Sequence, residues 1–264
     1  MRRLLPPPGV ELSDEDLVAA YTLPAGRSVR VDFVASLDGA ITVEGRSAGL
    51  GSPGDKRVFR VLRALADAVL VGHGTAAAEG YRPVAADSAV GRLRTGLGRP
   101  VSAPVVVVSR RASLAPGDRL AVAPTVLVTC AAADPDRRAA LGTAGVDVLV
   151  CGEDDVDLPL ALDRLADRGL EQLVCEGGPA LLTSALAAGV VDELDLTIAP
   201  ALVGGEARLL DRALGVVVRP RLVQVLEEDG VLFTRYAVDR QPAGSAVLAR
   251  DPVSRPAGRR RRTR

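Results

Sequence analysis

The feature that most constrains the fold is a series of short apolar runs rich in β-branched residues, each bounded by Pro, Gly or charged residues. Six of these runs occur before residue 176, at 29–35, 67–71, 104–108, 124–128, 146–150 and 172–175. Runs of this length without strict alternation are typical of strands buried on both faces, because helices cover both sides of a parallel sheet. The sequence therefore predicts an α/β protein with a mostly parallel central sheet flanked by helices.

Helical patterns lie between these runs, and the pattern changes after residue 190. Helices are predicted at 54–66, 158–168 and 179–188. In the first of them, Val58, Val61 and Leu62 recur at helical spacing, with basic residues on the opposite face. Later strands are predicted at 193–199, 220–227 and 231–238, and the Asp-Gly turn between the last two indicates a C-terminal antiparallel hairpin that closes the sheet.

The domain organisation follows from these patterns and from the charge distribution. Residues 1–26 read as an N-terminal extension with a short helix that Ser13 could cap and that ends near Tyr21. Residues 27–240 form one domain. Residues 241–264 carry a charge of +6 against −6 for the rest of the chain, and their Pro, Gly and Arg content predicts a disordered tail. This tail lacks aromatic residues, so no nucleic-acid partner is expected.

Rare residues exclude several chemistries. The chain of 264 residues has one His and three Cys, so a metal site built on two or more His cannot form, and no metal is predicted. The cysteines show no C-x-x-C spacing and are expected to be buried, reduced thiols of a cytoplasmic protein. No long uncharged apolar run or secretory signal is found, and no membrane span is expected.

The strongest local motif is Cys-Glu-Gly-Gly-Pro-Ala-Leu-Leu at 175–182. A buried strand runs into Gly177 and Gly178 and then into a helix that begins with Pro179. Free backbone N–H groups at such a helix start can hold a pyrophosphate. The alternative is a tight turn that needs positive φ, and the motif alone leaves both open.

A second strand-to-helix turn contains Gly72, His73, Gly74 and Thr75, where Thr75 could cap the helix and bind a phosphate. Two such turns at the carboxyl ends of parallel strands favour a dinucleotide site. The G-x-G-x-x-G pattern is missing, so the ordinary dinucleotide-binding fold is not expected.

Ser109 and Arg110 follow another predicted strand at the same sheet edge. A hydroxyl and a guanidinium at that place could hold the 2′-phosphate of NADP. A solvated loop charge is the alternative.

A Gly-rich stretch between the first strand and the first long helix could form a substrate pocket. Asp38 and Ser47 lie in it, Asp55 opens the helix, and Arg63 follows on that helix. These residue types suit a phosphorylated polar substrate. Alternatively, Asp38 only turns the chain and Asp55 only favours the helix dipole.

Taken in order, seven motifs resemble the reductase domain of the bifunctional riboflavin-biosynthesis deaminase/reductase. They cover about residues 28–238 and lie at 34–39, 51–55, 62–64, 71–75, 176–181, 191–194 and 198–205. The resemblance implies a dihydrofolate-reductase-like fold and a homodimer. It also implies NADPH-dependent reduction of 5-amino-6-(5-phosphoribosylamino)uracil, in which hydride reaches ribose C1′ and the sugar becomes a ribityl chain.

The resemblance also implies roles for single residues. Cofactor contacts are implied for Ala35, Gly49, Thr75, Glu79, Ser109 and the loop from Gly178 to Ser184, which includes Pro179, Ala180, Leu181 and Leu182. Substrate contacts are implied for Ser47, Arg63, Arg82 and Glu176. Asp55 matches the carboxylate that polarises or protonates the substrate, and it is predicted to be catalytic together with Glu176.

Two departures from the family leave alternatives open. The zinc-binding deaminase half is absent, because its H-x-E and P-C-x-x-C motifs are missing. The family usually has Lys directly after Ser-Leu-Asp-Gly, where this chain has Ala40, and its single Lys is Lys56. The alternatives are a reductase of the same fold acting on another pyrimidine or pterin, such as dihydrofolate, and a non-catalytic NADP-binding protein. The presence of Asp55, Arg63 and Glu176 argues against the non-catalytic protein.

Overall fold

In the computed structural model, which describes residues 1–7 and 9–240, a single sheet runs through the described part of the chain. Its strands are β1 (Arg2–Leu5), β2 (Val10–Glu11), β3 (Ser28–Ser36), β4 (Ala68–Gly72), β5 (Val105–Val108), β6 (Val126–Thr129), β7 (Asp147–Val150), β8 (Gln172–Cys175), β9 (Glu193–Ala199), β10 (Arg221–Glu228) and β11 (Val231–Ala237). The helices are α1 (Asp14–Tyr21), α2 (Pro53–Leu65), α3 (His73–Glu79), α4 (Ala89–Gly96), α5 (Pro135–Thr143), α6 (Leu158–Ala166) and α7 (Pro179–Ala187).

The strand order is β2-β1-β10-β11-β9-β3-β8-β4-β5-β6-β7. The seven strands from β9 to β7 are parallel. From β9 outward, β11, β10, β1 and β2 pair antiparallel. The prediction of a mostly parallel sheet closed by an antiparallel hairpin is confirmed, and with it the dihydrofolate-reductase-like α/β fold that the resemblance implied.

The central strands are buried on both faces, as their composition predicts. Helices α6 and α7 pack Leu165 and Leu182 onto one face, while α1 and α2 pack Leu17 and Leu62 onto the other. Each fully buried aliphatic side chain of this size contributes about 1.5–3 kcal/mol from removing apolar surface from water. The parallel strands therefore form the tightly packed centre of the protein, and their carboxyl ends lie along one edge of the sheet.

Two local signals fix the helix starts that matter for the site. Ser52 caps α2 by accepting a hydrogen bond of 3.0 Å from the Asp55 N–H, and Pro53 is the first helical residue. Helix α7 begins at Pro179, with Gly178 as a cap that has no side chain. Asp55 therefore lies in the first turn of α2, and the first turn of α7 follows the glycine pair directly.

The N-terminal residues belong to the same sheet. The predicted helix is present as α1, with Ser13 as its cap and the buried Tyr21 as its last residue. Strands β1 and β2 were not predicted, and β1 pairs with β10. The predicted extension thus covers the antiparallel end of the sheet.

Helices α4 and α5 were also not predicted. The predicted strand-to-helix turn leads into α3, but the expectation that Thr75 caps this helix is wrong, because α3 begins at His73 with Gly72 as its cap. The predicted disordered tail, 241–264, lies outside the described residues. No described helix combines the length and the apolar character needed to cross a membrane.

Candidate active site

A pocket of about 340 Å³ opens at the carboxyl ends of β3, β8 and β4. Its wall comes from β3, the loop after it, the first turns of α2, helix α3 and the turn after β8. The residues that carry polar or aromatic groups into it are Asp32, Phe33, Thr42, Ser47, Asp55, Lys56, Phe59, Thr75, Glu79, Tyr81 and Glu176.

The two glycine turns close against each other at the pocket. The Gly72 N–H donates a hydrogen bond of 2.7 Å to the Gly177 carbonyl. A Cβ on Gly177, whose φ is +89°, would lie 2.6 Å from Phe33. A Cβ on Gly178 would collide with Thr75 Oγ1. Gly177 is therefore required by conformation as well as by space, and Gly178 by space alone.

The first turn of α7 offers backbone donors beside this junction. Pro179 has no N–H, and the first α7 N–H with a partner in the helix is that of Leu182, which donates to Gly178. The N–H groups of Ala180 and Leu181 find no acceptor among the described residues. This geometry meets the requirement for a phosphate contact at a helix start.

Ser109 and Arg110 lie at the end of β5, next to β4 in the sheet. Ser109 is buried, and its Oγ accepts a hydrogen bond of 2.9 Å from the Ser113 N–H. Arg110 is exposed, and its Nε donates to the Asp154 carbonyl at 2.8 Å. This contact holds the arginine at the sheet edge and leaves its terminal nitrogens for another acceptor.

Glu176 is the centre of a bidentate ion pair. Arg63 Nε and Nη2 donate to its two carboxylate oxygens at 2.6 Å each, and the Tyr81 hydroxyl donates to Oε2. The Arg63 guanidinium lies 4.2 Å from the Phe59 ring centroid and 5.1 Å from that of Tyr81. Burial opposes the charge of Arg63, but Glu176 outweighs it and raises the Arg63 pKa further. Burial and the Glu176 charge also raise the pKa of Tyr81, so this hydroxyl stays protonated. The predicted substrate residue Arg63 thus fixes the predicted catalytic residue Glu176.

Three more carboxyl groups line the pocket, those of Asp55 on α2, Asp32 on β3 and Glu79 on α3. Burial raises the pKa of Asp55, while the Thr197 hydroxyl and Lys56 favour its charged form. Burial and the charge of Asp55 raise the pKa of Asp32 well above its usual range. In the described part of the chain, no three acidic, His or Cys side chains are grouped so that they could hold a metal ion.

Of four further residues predicted to bind substrate or cofactor, two lie in the pocket wall and two do not. Ser47 and Glu79 meet in the pocket wall, where the Ser47 N–H donates to Glu79 Oε1 at 2.8 Å. Asp38 does not line the pocket: it accepts hydrogen bonds from the Ser36 hydroxyl and from two N–H groups of the loop after β9. Arg82 is exposed and does not line the pocket.

Two predicted cofactor residues take part in packing. Ala35 is buried near the end of β3. At Gly49 a Cβ would lie 2.7 Å from Val43, so this glycine lets the loop pack tightly. Their predicted contact with a cofactor stays a prediction.

Sequence reasoning missed Asp32, Phe59 and Tyr81. The chain has only three Phe and three Tyr. Because aromatic residues are so scarce, those outside the predicted strands could have been taken as candidate pocket residues. Asp32 was signalled by its charge inside an otherwise apolar strand.

The motif-based assignment agrees with comparisons to known proteins. The sequence pattern of the RibD C-terminal domain matches residues 27–231. The chain belongs to this family.

Its relatives include reductases. The 2,5-diamino-6-ribosylamino-4(3H)-pyrimidinone 5′-phosphate reductase of Methanothermobacter thermautotrophicus is 38% identical over 179 residues, which are 66% of this chain and 79% of that protein. The enzyme of the same name from Archaeoglobus fulgidus is 31% identical over 67% of this chain and 82% of its own. A pyrimidine reductase-like protein from Corynebacterium diphtheriae has a similar structure, with a TM-score of 0.74 and 28% identity, over 87% of this chain and all of that one.

Proposed function

We propose that this protein is an NADPH-dependent reductase of riboflavin biosynthesis that converts the phosphoribosylamino group of a pyrimidine into a ribitylamino group. The observation that carries the proposal is that two glycine turns meet the carboxyl groups of Asp55 and Glu176 at one pocket. The names of its relatives support the same reaction.

The residues at the sheet edge fit a nicotinamide dinucleotide. Gly177 and Gly178 keep side chains away from the start of α7, where the N–H groups of Ala180 and Leu181 would hold the pyrophosphate. Ser109 and Arg110, which follow the neighbouring strand β5, would hold a ribose 2′-phosphate and so select NADPH over NADH. When bound, the cofactor supplies hydride to C1′ of the sugar.

The protein's own residues orient the substrate. Glu176, locked by Arg63 and Tyr81, presents a fixed carboxylate to the pocket. Among the residues that line the pocket, Lys56 is the cation, and it would hold the substrate phosphate beside Ser47. Because hydride transfer depends on positioning, a site without a His or Cys nucleophile is sufficient.

Two pyrimidines are candidates, and an observation favours each. The family resemblance leads to 5-amino-6-(5-phosphoribosylamino)uracil, the deaminated compound. The two archaeal relatives are named for the 2,5-diamino-pyrimidinone. The carboxylates of Asp55 and Glu176 in the pocket also suit an amino group, which donates hydrogen bonds, better than a carbonyl, which accepts them.

The test follows the loss of NADPH absorbance with each pyrimidine phosphate and with dihydrofolate. Turnover of either pyrimidine phosphate is the expected result, and the ratio of the two kcat/KM values identifies the substrate. Turnover of dihydrofolate alone would replace the proposed reaction by that of a pterin reductase. Tight NADPH binding without turnover of any of the three would leave a binding protein.

We also propose a cytoplasmic homodimer. Cys130, Cys151 and Cys175 are buried free thiols, as expected in a reducing compartment. Sedimentation of the purified chain gives its oligomeric state, and a monomer at micromolar concentration would contradict the dimer.

A further inference from the structure

Asp32 lines the pocket, but the proposed function gives it no role. It lies on β3 two residues after Arg30, so the two side chains lie on the same face of the sheet. Arg30 is already paired, with its Nε 2.6 Å from Glu193 and 3.2 Å from Asp195. Among the described residues no side chain forms a hydrogen bond or ion pair with Asp32. Its carboxyl group is left at the edge of a buried ion-pair network, facing the pocket.

The charges around Asp32 are mostly negative. Asp55 faces it from α2, Asp195 from the neighbouring strand β9 and Glu176 from the end of β8. Arg63 of α2 is the opposing cation, and it is held by Glu176. Burial, followed by these three carboxylates, raises the pKa of Asp32 well above its usual range. This environment therefore favours the protonated form of the Asp32 carboxyl group.

We propose that Asp32 is the proton donor of the reduction. This inference rests on the proposed function. In the ring-opened substrate, C1′ is joined to the exocyclic nitrogen by a double bond. Hydride adds to C1′, the electron pair of the double bond moves to the nitrogen, and the nitrogen takes the proton from the Asp32 carboxyl group. Asp32 is left as a carboxylate and regains a proton from water through the open pocket.

The two pocket aspartates then have different tasks. Burial raises the pKa of both groups; the Thr197 hydroxyl and Lys56 counteract it at Asp55, whereas at Asp32 the counteracting cation is Arg63, which is already paired with Glu176. Two carboxyl groups whose environments separate their pKa values are typical of an acid paired with a charged carboxylate. The negative charge of Asp55 raises the pKa of Asp32, and the Asp55 carboxyl group polarises the substrate.

The kinetic test compares Asp32→Asn with Asp55→Asn. Because the donor must be protonated, wild-type activity falls as the pH rises through the Asp32 pKa. Asp32→Asn should lower kcat at least about 100-fold, abolish this alkaline limb and leave the NADPH dissociation constant within about twofold. Asp55→Asn removes a negative neighbour, so it should keep the limb and move it to lower pH. An Asp32→Asn enzyme that keeps both the limb and its kcat would overturn the donor role.

A second measurement does not depend on activity. In protein with ¹³C-labelled Asp carboxyl groups, NMR should show Asp32 titrating far above the ordinary range, with its signal missing in Asp32→Asn. Titration of Asp32 below about pH 5 in wild-type protein that turns over its substrate would overturn the donor role alone. If the wild-type protein turns over neither pyrimidine phosphate, the proposed function fails and the donor role fails with it.

Discussion

Replacing Gly178 by alanine tests how closely the two glycine turns meet. The new Cβ would lie less than 3.0 Å from Thr75 Oγ1, a distance that real Cβ atoms essentially never show. The φ of Gly178 is −74°, so alanine tolerates the backbone and the cost is steric. Overpacking of this kind costs about 1–3 kcal/mol. For a domain of this size, that lowers the melting temperature by about 2–12 °C.

The assay is urea unfolding of Gly178→Ala together with NADPH titration. We expect the free energy of unfolding to fall by about 1–3 kcal/mol. We also expect about tenfold weaker NADPH binding, equivalent to about 1.4 kcal/mol, because α7 or Thr75 must shift. Gly74→Ala is the matched control for stability, since its Cβ meets nothing within 4 Å. It should be neutral or slightly stabilising.

The double variant Gly178→Ala/Thr75→Ala isolates the cause. Removing the Thr75 hydroxyl removes the clash, so the double variant should recover at least half of the lost stability. Additive losses, or a Gly178→Ala protein as stable as Gly74→Ala, would refute the reasoning.

Three further predictions concern the ion pair, the cofactor and the loops. Arg63→Ala leaves Glu176 charged and without its cation, so it should destabilise the fold by about 3–5 kcal/mol and raise KM for the substrate more than for NADPH; the reverse order in the kinetics would reassign Arg63 to the cofactor. Arg110→Ala should weaken NADPH by about 2 kcal/mol and leave NADH nearly unchanged, so equal losses in a binding titration would remove its 2′-phosphate role. Hydrogen bonds from a hydroxyl and two N–H groups lower the Asp38 pKa to about 2, so its stabilising effect is present above about pH 4 and lost as the pH falls towards 2. The stability difference between wild type and Asp38→Asn should therefore shrink across that range in acid unfolding, and a constant difference would contradict the assignment.

The central sheet was predictable because its strands are buried on both faces. The runs around Val69 and Val106 are continuously apolar and lack the alternating polar residues of a strand with one exposed face. Pro and Gly mark the ends of these strands. Strand β1 gave no such signal, since its four residues include two Arg and its place depends on pairing with the distant β10. Helix α4 contains two glycines, which hid its helical pattern.

The parts of the candidate site that consist of backbone groups were predictable from the sequence. Gly177, Gly178 and Pro179 are a local pattern that specifies a turn and a helix start. The partners of side chains were not predictable, because they depend on tertiary distances. Arg63 and Glu176 are 113 residues apart and yet form a bidentate pair.

The most direct test of the account is the transfer of deuterium from NADPH deuterated at C4 of the nicotinamide to a pyrimidine phosphate. We expect a ribitylamino product with one deuterium at C1′, found by mass spectrometry and NMR with the purified chain alone. Oxidation of the NADPH without deuterium at C1′, or no oxidation with either pyrimidine phosphate, would contradict it.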